Sequence, residues 1–276
     1  MKKFLIFTFT IASMLWVQNA MAWSNLPHGT IAYIAEQHLT PEAKAKCYHY
    51  LRHTLPFYAS WMDRWRGSAI FEDVNNAHSG TAMADGVNYD FKSGKPAGKV
   101  MGHLVNALAE LGDGKYKNLP DSVVRQRLIN MVHYVGDMHC PAHNNFSKEH
   151  FPQYRYSLYK NGKKYNFHTF WDGSLGSFER RKWTYEKFAA KIDTYSPEEI
   201  KKIQGGTLED WGRELVQFGH RARKITPKDT DVAKLTKEQK KEVYALADEA
   251  AVKGAYRLAH ILNTIFSDKN IQVFNK

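Results

Sequence analysis

Two histidine–aspartate pairs at helical spacing constrain this chain more than any other feature of its sequence. His133 and Asp137 lie in "MVHYVGDMHCPAH", and His168 and Asp172 lie in "NFHTFWDG". Residues i and i+4 share one face of a helix, so each pair places an imidazole beside a carboxylate. Burial of such groups costs free energy unless something pairs with them. These side chains therefore need partners that an apolar core does not supply.

A metal ion is the partner that this spacing favours. A third histidine, His143, follows Pro141, at which a helix must end or bend. Two such pairs and a further histidine exceed what a hydrogen-bonded core usually holds. Neutral imidazole and carboxylate groups suit zinc, and a site with fewer than four protein ligands leaves a position for water. His139 lies on a different helix face from His133, so we do not expect it to be a ligand.

Further candidate ligands lie upstream of these motifs. Asp63 stands in "ASWMDRWRG", His78 in "NNAHSG", and His28 five residues after Trp23. A lone histidine is normally a core or surface residue, and the chain has 13 of them. These positions become candidates only through the resemblance described below.

The N-terminus has the pattern of a secretory signal peptide. Two lysines precede an apolar run that is too short to cross a bilayer, and Ala20-Met21-Ala22 offers a cleavage site. We expect residues 1–22 to be removed and residues 23–276 to form one domain that is periplasmic or secreted. The net charge of +11 falls to about +9 without Lys2 and Lys3. A basic exported protein is suited to phosphates, anionic lipid head groups or acidic glycans, although solubility alone is another explanation.

Helical periodicity predicts an all-α fold, a single mostly helical domain. Thr40-Pro41 predicts a helix start, and apolar positions recur at helical spacing over 97–111, 121–139, 207–225 and 236–266. The segment "YRYSLYKNGKKYNF" alternates around Asn161-Gly162 and predicts a small β-hairpin insertion. Cys47 and Cys140 are the only cysteines, and the sequence does not show whether they pair. We rate Cys140 a weak ligand candidate.

The order of several motifs resembles that of the zinc-dependent single-strand nucleases of the mung bean type, the S1/P1 nuclease family. The motifs are "WSNLPH", "SWMDRWR", "HYVGDMHCPAH", "FHTFWD", "EDWGRELV" and "AYRLAHILN". Together they span nearly the whole chain after residue 22. The resemblance implies a phospholipase C/nuclease-like helical fold with three Zn²⁺ ions per chain.

The resemblance also implies which residues hold each ion. The first zinc would be bound by Asp63, His78, His133 and Asp137. The second would be bound by His143, His168 and Asp172. The third would be bound by His28, by Asp137 as a bridge, and by the amino nitrogen and carbonyl oxygen of Trp23. Only cleavage after Ala22 gives Trp23 a free amine, because an amide nitrogen is a poor ligand.

The activity implied is hydrolysis of single-stranded RNA and DNA to 5′-nucleotides, together with 3′-nucleotidase activity. Clustered metal ions activate water and stabilise both the attacking and the leaving oxygen. Asp137 and Arg66 would be catalytic, since a planar guanidinium suits a charged phosphoryl transition state. Nucleic acid and nucleotides would be the substrates, and we expect a monomer with no stable membrane association.

The chain departs from the family at the expected base-binding wall. Ser79 and Thr81 stand where members usually have an aromatic and an acidic or amide residue. Tyr89, Phe91, Phe146 and Tyr154 are possible substitutes. Two alternative functions remain open at this level: a zinc phospholipase C-like phosphodiesterase and a non-enzymatic zinc-binding protein. The spacing of Trp23 and His28 and the aspartate at position 172 favour the nuclease.

Overall fold

The computed structural model describes residues 25–66, 78–82, 89–95, 99–267 and Phe274. The predicted signal peptide and Trp23 lie outside these described residues. Within them the chain is mostly helical, which confirms the predicted fold class. The α-helices are α1 Asn25–Gln37, α2 Pro41–Leu51, α3 Leu55–Tyr58, α4 Trp61–Arg64, α5 Val100–Leu111, α6 Asp121–His139, α7 Phe167–Asp172, α8 Tyr185–Ile192, α9 Pro197–Gln204, α10 Leu208–Ile225 and α11 Lys237–Phe266. The strands are β1 Gly80–Ala82, β2 Asn144–Phe146, β3 Leu158–Lys160 and β4 Lys163–Tyr165.

Local capping signals explain where the major helices begin. The Thr40 side chain accepts a hydrogen bond from the Ala43 amide, and Pro41 occupies the first turn of α2. Helices α10 and α11 start with capping boxes, in which Thr207 and Thr236 each bond reciprocally with the third helical residue. These caps satisfy amides that a helix start would otherwise leave unpaired. Of the predicted helix over 97–111, residues 97 and 98 lie outside the described part, and the helix begins at Val100 after an extended Lys99.

The hairpin forms at the predicted turn. Asn161 and Gly162 both have positive φ angles, 53° and 75°, as a type I′ turn requires. Strands β3 and β4 pair antiparallel, with Lys160 opposite Lys163. A second, parallel pair joins β1 to β2 and was not predicted. It places Gly80 opposite Asn144, which brings the segment of His78 beside that of His143.

Helix α11 forms the axis of the core. Its side chains from Val243 to Phe266 are largely buried, and it packs against α1, α6, α9 and α10. Asn263 also bonds to the turn between α1 and α2, since its side chain accepts from the Thr40 amide and donates to the His38 carbonyl. The α11 helix thereby holds α1 and α6 side by side. No helix in the described part of the chain is both long and apolar enough to cross a membrane.

Candidate metal centre

Asp137 lies at the centre of the predicted ligands, fully buried on α6. Its Oδ2 is 2.8 Å from His78 Nδ1 and 3.0 Å from His133 Nε2. Its Oδ1 is 3.0 Å from His143 Nδ1 and 3.3 Å from His28 Nε2. One carboxylate therefore faces four imidazole nitrogens that come from positions 28 to 143.

The tautomer of His133 is fixed by the backbone. Its Nδ1 lies 2.8 Å from the Ala59 carbonyl oxygen, to which it donates a hydrogen bond. A neutral imidazole has one donor, so Nε2 then presents a lone pair to Asp137 and to His78 Nδ1, 3.0 Å away. Lone pairs facing a carboxylate repel one another unless a proton or a metal cation lies between them. The Ala59 carbonyl thus acts as the orienting partner typical of a metal-bound histidine.

A glycine allows α1 to approach α6 closely enough to deliver His28. The His28 ring stacks on His133, with ring centroids 4.3 Å apart and an angle of 11° between the planes. A Cβ atom at Gly136 would lie only 2.3 Å from His28 Nδ1. Any side chain at position 136 would therefore displace His28 from its place beside Asp137.

Asp63 and Arg66 form the exposed edge of the same cluster. Asp63 Oδ1 accepts a hydrogen bond from Arg66 Nη2 at 2.8 Å and lies 3.7 Å from both His78 Nδ1 and His133 Nε2. The Asp63 side chain is 1% exposed, whereas that of Arg66 is 36% exposed. Arg66 is thus anchored at one end of its guanidinium and open to solvent at the other.

A second group of candidate ligands lies at the C-terminal ends of α6 and α7. His143 Nε2 lies 3.4 Å from Asp172 Oδ1, and Cys140 Sγ lies 3.8 Å from the same oxygen. The thiol, the imidazole and the carboxylate offer ligand atoms within 4.8 Å of one another. His168 is half-buried and stacks on the His143 ring at 4.8 Å, so it borders this group face to face.

The electrostatics of the cluster favour positive charge at its centre. Burial raises the pKa of Asp137, but the facing His133 and His143 outweigh it and hold that pKa well below its usual range. Burial lowers the pKa of His133 and of His143, yet Asp137 raises these values to about 9 and about 10. Asp63 adds to the effect on His133, and Asp172 adds to the effect on His143. The carboxylates thus stabilise cations at the places where imidazole nitrogens converge.

The donor set and its unsatisfied atoms fit bound metal ions. In the described part of the chain, the buried Asp63 Oδ2, the Asp137 Oδ1 and both ring nitrogens of His143 make no hydrogen bond of good geometry, although His143 lies within 3.4 Å of both Asp137 and Asp172. Native interiors rarely leave such atoms unpaired. Three groups of ligand atoms result: His28 with His133 and Asp137, Asp63 with His78 and His133, and Cys140 with His143 and Asp172. Imidazole and carboxylate ligands at this density suit zinc.

His139 and Cys47 lie outside the three groups of ligand atoms. His139 donates from Nδ1 to the Val135 carbonyl, so its Nε2 accepts from Arg257 Nη1 at 3.1 Å. Both ring nitrogens of His139 are thus engaged by protein groups. Cys47 and Cys140 are both buried and free, so they are not joined in a disulfide.

Two features of the site stand out beside the sequence-based expectations. Cys140, a weak ligand candidate as a lone thiol, lies next to His143 and Asp172, and burial raises the pKa of its thiol well above the ordinary value. Gly136 was not singled out, although a glycine inside a helix costs about 1 kcal/mol relative to alanine and so marks a position with a special requirement. Of the aromatic substitutes, Tyr89 is buried beside Phe91, whereas Phe146 and Tyr154 line a cavity next to His168.

Comparisons with known proteins agree with this arrangement. The sequence model of the S1/P1 nuclease family matches residues 23–267. Nuclease S1 of Aspergillus oryzae is 24% identical over 207 residues, which cover 71% of this chain and 68% of that protein. Nuclease P1 of Penicillium citrinum is 27% identical over 210 residues, which cover 71% of this chain and 66% of that protein. Nuclease PA3 of a Penicillium species matches with the same identity and coverage.

Proposed function

This chain belongs to the S1/P1 nuclease family, and we propose that it is a zinc-dependent phosphodiesterase that hydrolyses single-stranded RNA and DNA to 5′-nucleotides. The same centre would remove phosphate from 3′-nucleotides. Membership of a nuclease family supports hydrolysis of nucleic acid in general. The preference for single strands, the 3′-nucleotidase activity and the number of zinc ions are the specific parts of the proposal.

The position of Asp137 carries the proposal. A carboxylate that faces four imidazole nitrogens within 3.3 Å needs protons or metal cations between these groups, and so many ligand atoms in one place support metal ions. The Nδ1 donor of His133 is engaged by Ala59, which leaves its Nε2 as a ligand atom. We assign the first zinc to Asp63, His78, His133 and Asp137. We assign the second to His143, His168 and Asp172, and the third to Trp23, His28 and Asp137. Asp137 would then serve two ions.

The chain's own residues orient and neutralise the substrate. Bound zinc ions would polarise the scissile phosphate and lower the pKa of a water molecule that attacks it. Arg66 keeps one nitrogen on Asp63 and presents the rest of its guanidinium towards solvent, where it can bind a phosphate oxygen. Negative charge grows on the phosphate oxygens in the transition state, so a fixed guanidinium there accelerates hydrolysis.

The proposal includes export and cleavage after Ala22. The family match begins at Trp23, the residue that cleavage would turn into the N-terminus. A free amine there could bind the third zinc, whereas an uncleaved chain offers an amide. We therefore place the active protein in the periplasm or outside the cell, as a monomer.

One assay separates this proposal from its alternatives. The mature protein from Trp23, supplied with zinc, is incubated with single-stranded RNA, single-stranded DNA, 3′-AMP and phosphatidylcholine. Asp137→Asn serves as the inactive control and Cys47→Ala as the control for a buried substitution outside the site. We expect 5′-nucleotides from both nucleic acids and phosphate from 3′-AMP. Hydrolysis of phosphatidylcholine alone would support a phospholipase, and bound zinc without any hydrolysis would support a binding protein.

A further inference from the structure

A basic cavity of about 600 Å³ lies beside the proposed metal centre. Its walls come from the segment after β2, from the β3–β4 hairpin, from the start of α7 and from the end of α10. Ala142, which precedes His143, and His168 lie in its lining. The cavity therefore borders two proposed ligands of the second zinc.

Arg223 is an unusual cation in this wall. It is 9% exposed, and its guanidinium carbon lies 4.4 Å from the ring centroid of Phe146, 4.5 Å from that of Phe167 and 5.0 Å from that of Tyr154. Among the described residues its side chain makes one hydrogen bond, from Nη1 to the Gly219 carbonyl, and it has no carboxylate partner. Its buried Nε has no partner in this part of the chain.

The surroundings of Arg223 leave room for an anion. A guanidinium has five N–H donors, and its carbon here lies over the faces of three aromatic rings, which offer no oxygen acceptor for these donors. Buried cations normally have an anionic partner, because desolvation of an unpaired charge is costly. The nearby side chains do not supply one: Lys164, Arg155 and Lys228 also line the cavity, against the single exposed carboxylate of Asp229.

We propose that Arg223 binds a non-scissile phosphate of the substrate strand, next to the phosphate held at the metal centre. This inference rests on the proposed function. It adds a second phosphate-binding position, which would let the site bind a strand more tightly than an ester with one phosphate. The planar fork of an arginine matches two phosphate oxygens, and Lys164 adds a second positive charge.

The proposal predicts a dependence on the number of phosphates. An ester with one phosphate occupies the metal centre and makes no contact at Arg223. A strand with several phosphates reaches both positions. A charge-assisted hydrogen bond of this type corresponds to about tenfold to hundredfold in binding.

The test compares two substrates and two arginines of α10. Arg223→Met removes the cavity cation, and Arg221→Met removes an exposed cation that pairs with Glu249 at 2.7 Å. The substrates are a single-stranded DNA 12-mer and bis(4-nitrophenyl) phosphate, which has one phosphate. We expect the ratio of kcat/KM on the 12-mer to kcat/KM on the small ester to fall about tenfold to hundredfold in Arg223→Met. The ratio should stay within about twofold of the wild-type value in Arg221→Met.

A binding measurement provides a readout that does not depend on hydrolysis. Anisotropy with a hydrolysis-resistant phosphorothioate 12-mer gives the slope of log K against log salt concentration. One lost phosphate contact to a single strand changes this slope by about 0.7. Arg223→Lys keeps the charge and should restore the wild-type slope, which a purely structural role of the guanidinium would not predict.

The outcomes distinguish this proposal from the proposed function. Equal loss on both substrates, or an unchanged ratio and slope in Arg223→Met, would overturn the phosphate assignment. If Arg223→Met does not fold, Lys164→Ala at the exposed rim tests the same cavity, and an unchanged ratio there would count against it. A wild-type protein that cleaves neither substrate would refute the proposed function, while the salt slopes would still decide whether Arg223 binds a phosphate.

Discussion

Replacement of Gly136 by alanine should remove one metal ion while it leaves the fold in place. The new Cβ would lie 2.3 Å from His28 Nδ1, whereas ordinary contacts begin at 3.4 Å, so the ring must move by about 1 Å. Metal–ligand distances tolerate about 0.2 Å, so a shift of this size takes His28 out of the coordination sphere. A misplacement of about 1 Å in a catalytic site costs roughly 100-fold in rate. The helix itself gains about 1 kcal/mol from alanine, which works against general unfolding.

The experiment measures zinc per chain by elemental analysis, helix content by circular dichroism, and hydrolysis of a single-stranded DNA 12-mer. Gly254→Ala is the matched control, because its Cβ would press on His139, at 3.0 Å from Cγ, and His139 is not a proposed ligand. We expect two zinc ions and about 100-fold slower hydrolysis for Gly136→Ala, against three ions for the control. Three ions and wild-type activity in Gly136→Ala would refute the placement of His28 at a metal. Loss of all three ions would refute the prediction that His28 binds only the third zinc.

Three other predictions follow from the same geometry. Asp137→Asn should lower kcat more than Asp172→Asn at full zinc occupancy, since Asp137 faces four imidazoles and Asp172 faces one; equal losses would argue against a shared ligand. One residue left before Trp23 should lower hydrolysis by about two orders of magnitude or more while the helical spectrum is unchanged, because the terminal amine becomes an amide; equal turnover before and after its removal would exclude the terminus as a ligand. Burial and the charge of Arg257 lower the pKa of His139 to about 3, so below pH 6.5 the unfolded chain binds a proton that the folded chain does not, and stability falls as the pH falls. Relative to His139→Gln, the free energy of unfolding should drop by about 1.4 kcal/mol per pH unit between pH 6 and pH 4 in urea titrations, and parallel curves would show that the folded protein does not hold His139 neutral.

The helices were predictable because their signals are local. Thr40 with Pro41 marks a helix start within a few residues of sequence, and the ranges 121–139 and 236–266 were predicted from periodicity. The turn at Asn161-Gly162 is equally local, since both residues adopt positive φ angles readily. The parallel pairing of β1 with β2 was not predictable, because two three-residue strands more than 60 positions apart form only when the rest of the chain has folded.

The ligand pairs within one helix could be identified from spacing, but the contacts between ligands of different helices could not. His133 and Asp137 share a helix face by geometry, so their proximity needs no tertiary information. The approach of His28 depends on how closely α1 packs on α6, which Gly136 decides. The position of Cys140 beside Asp172 depends on the turn after α6 and on the docking of α7. The resemblance to a family supplied the upstream ligands that spacing alone left among ordinary histidines.

The contact between the first and the last helix sets the order in which this protein can mature. Helices α1 and α11 form the most extensive helix–helix contact among the described elements, and Asn263 ties α11 to the turn that follows α1. During synthesis α1 emerges from the ribosome early, and it can meet α3, α6 and α8 before the chain is complete, but the side of α1 that packs on α11 stays uncovered until residue 266 has been added. We therefore expect His28 to be held firmly over α6 only after α11 has packed against α1. A chain that stops before α11 therefore carries all of the proposed ligands but does not yet hold them together. Helix α11, the last of the described α-helices, completes a site to which it contributes no ligand.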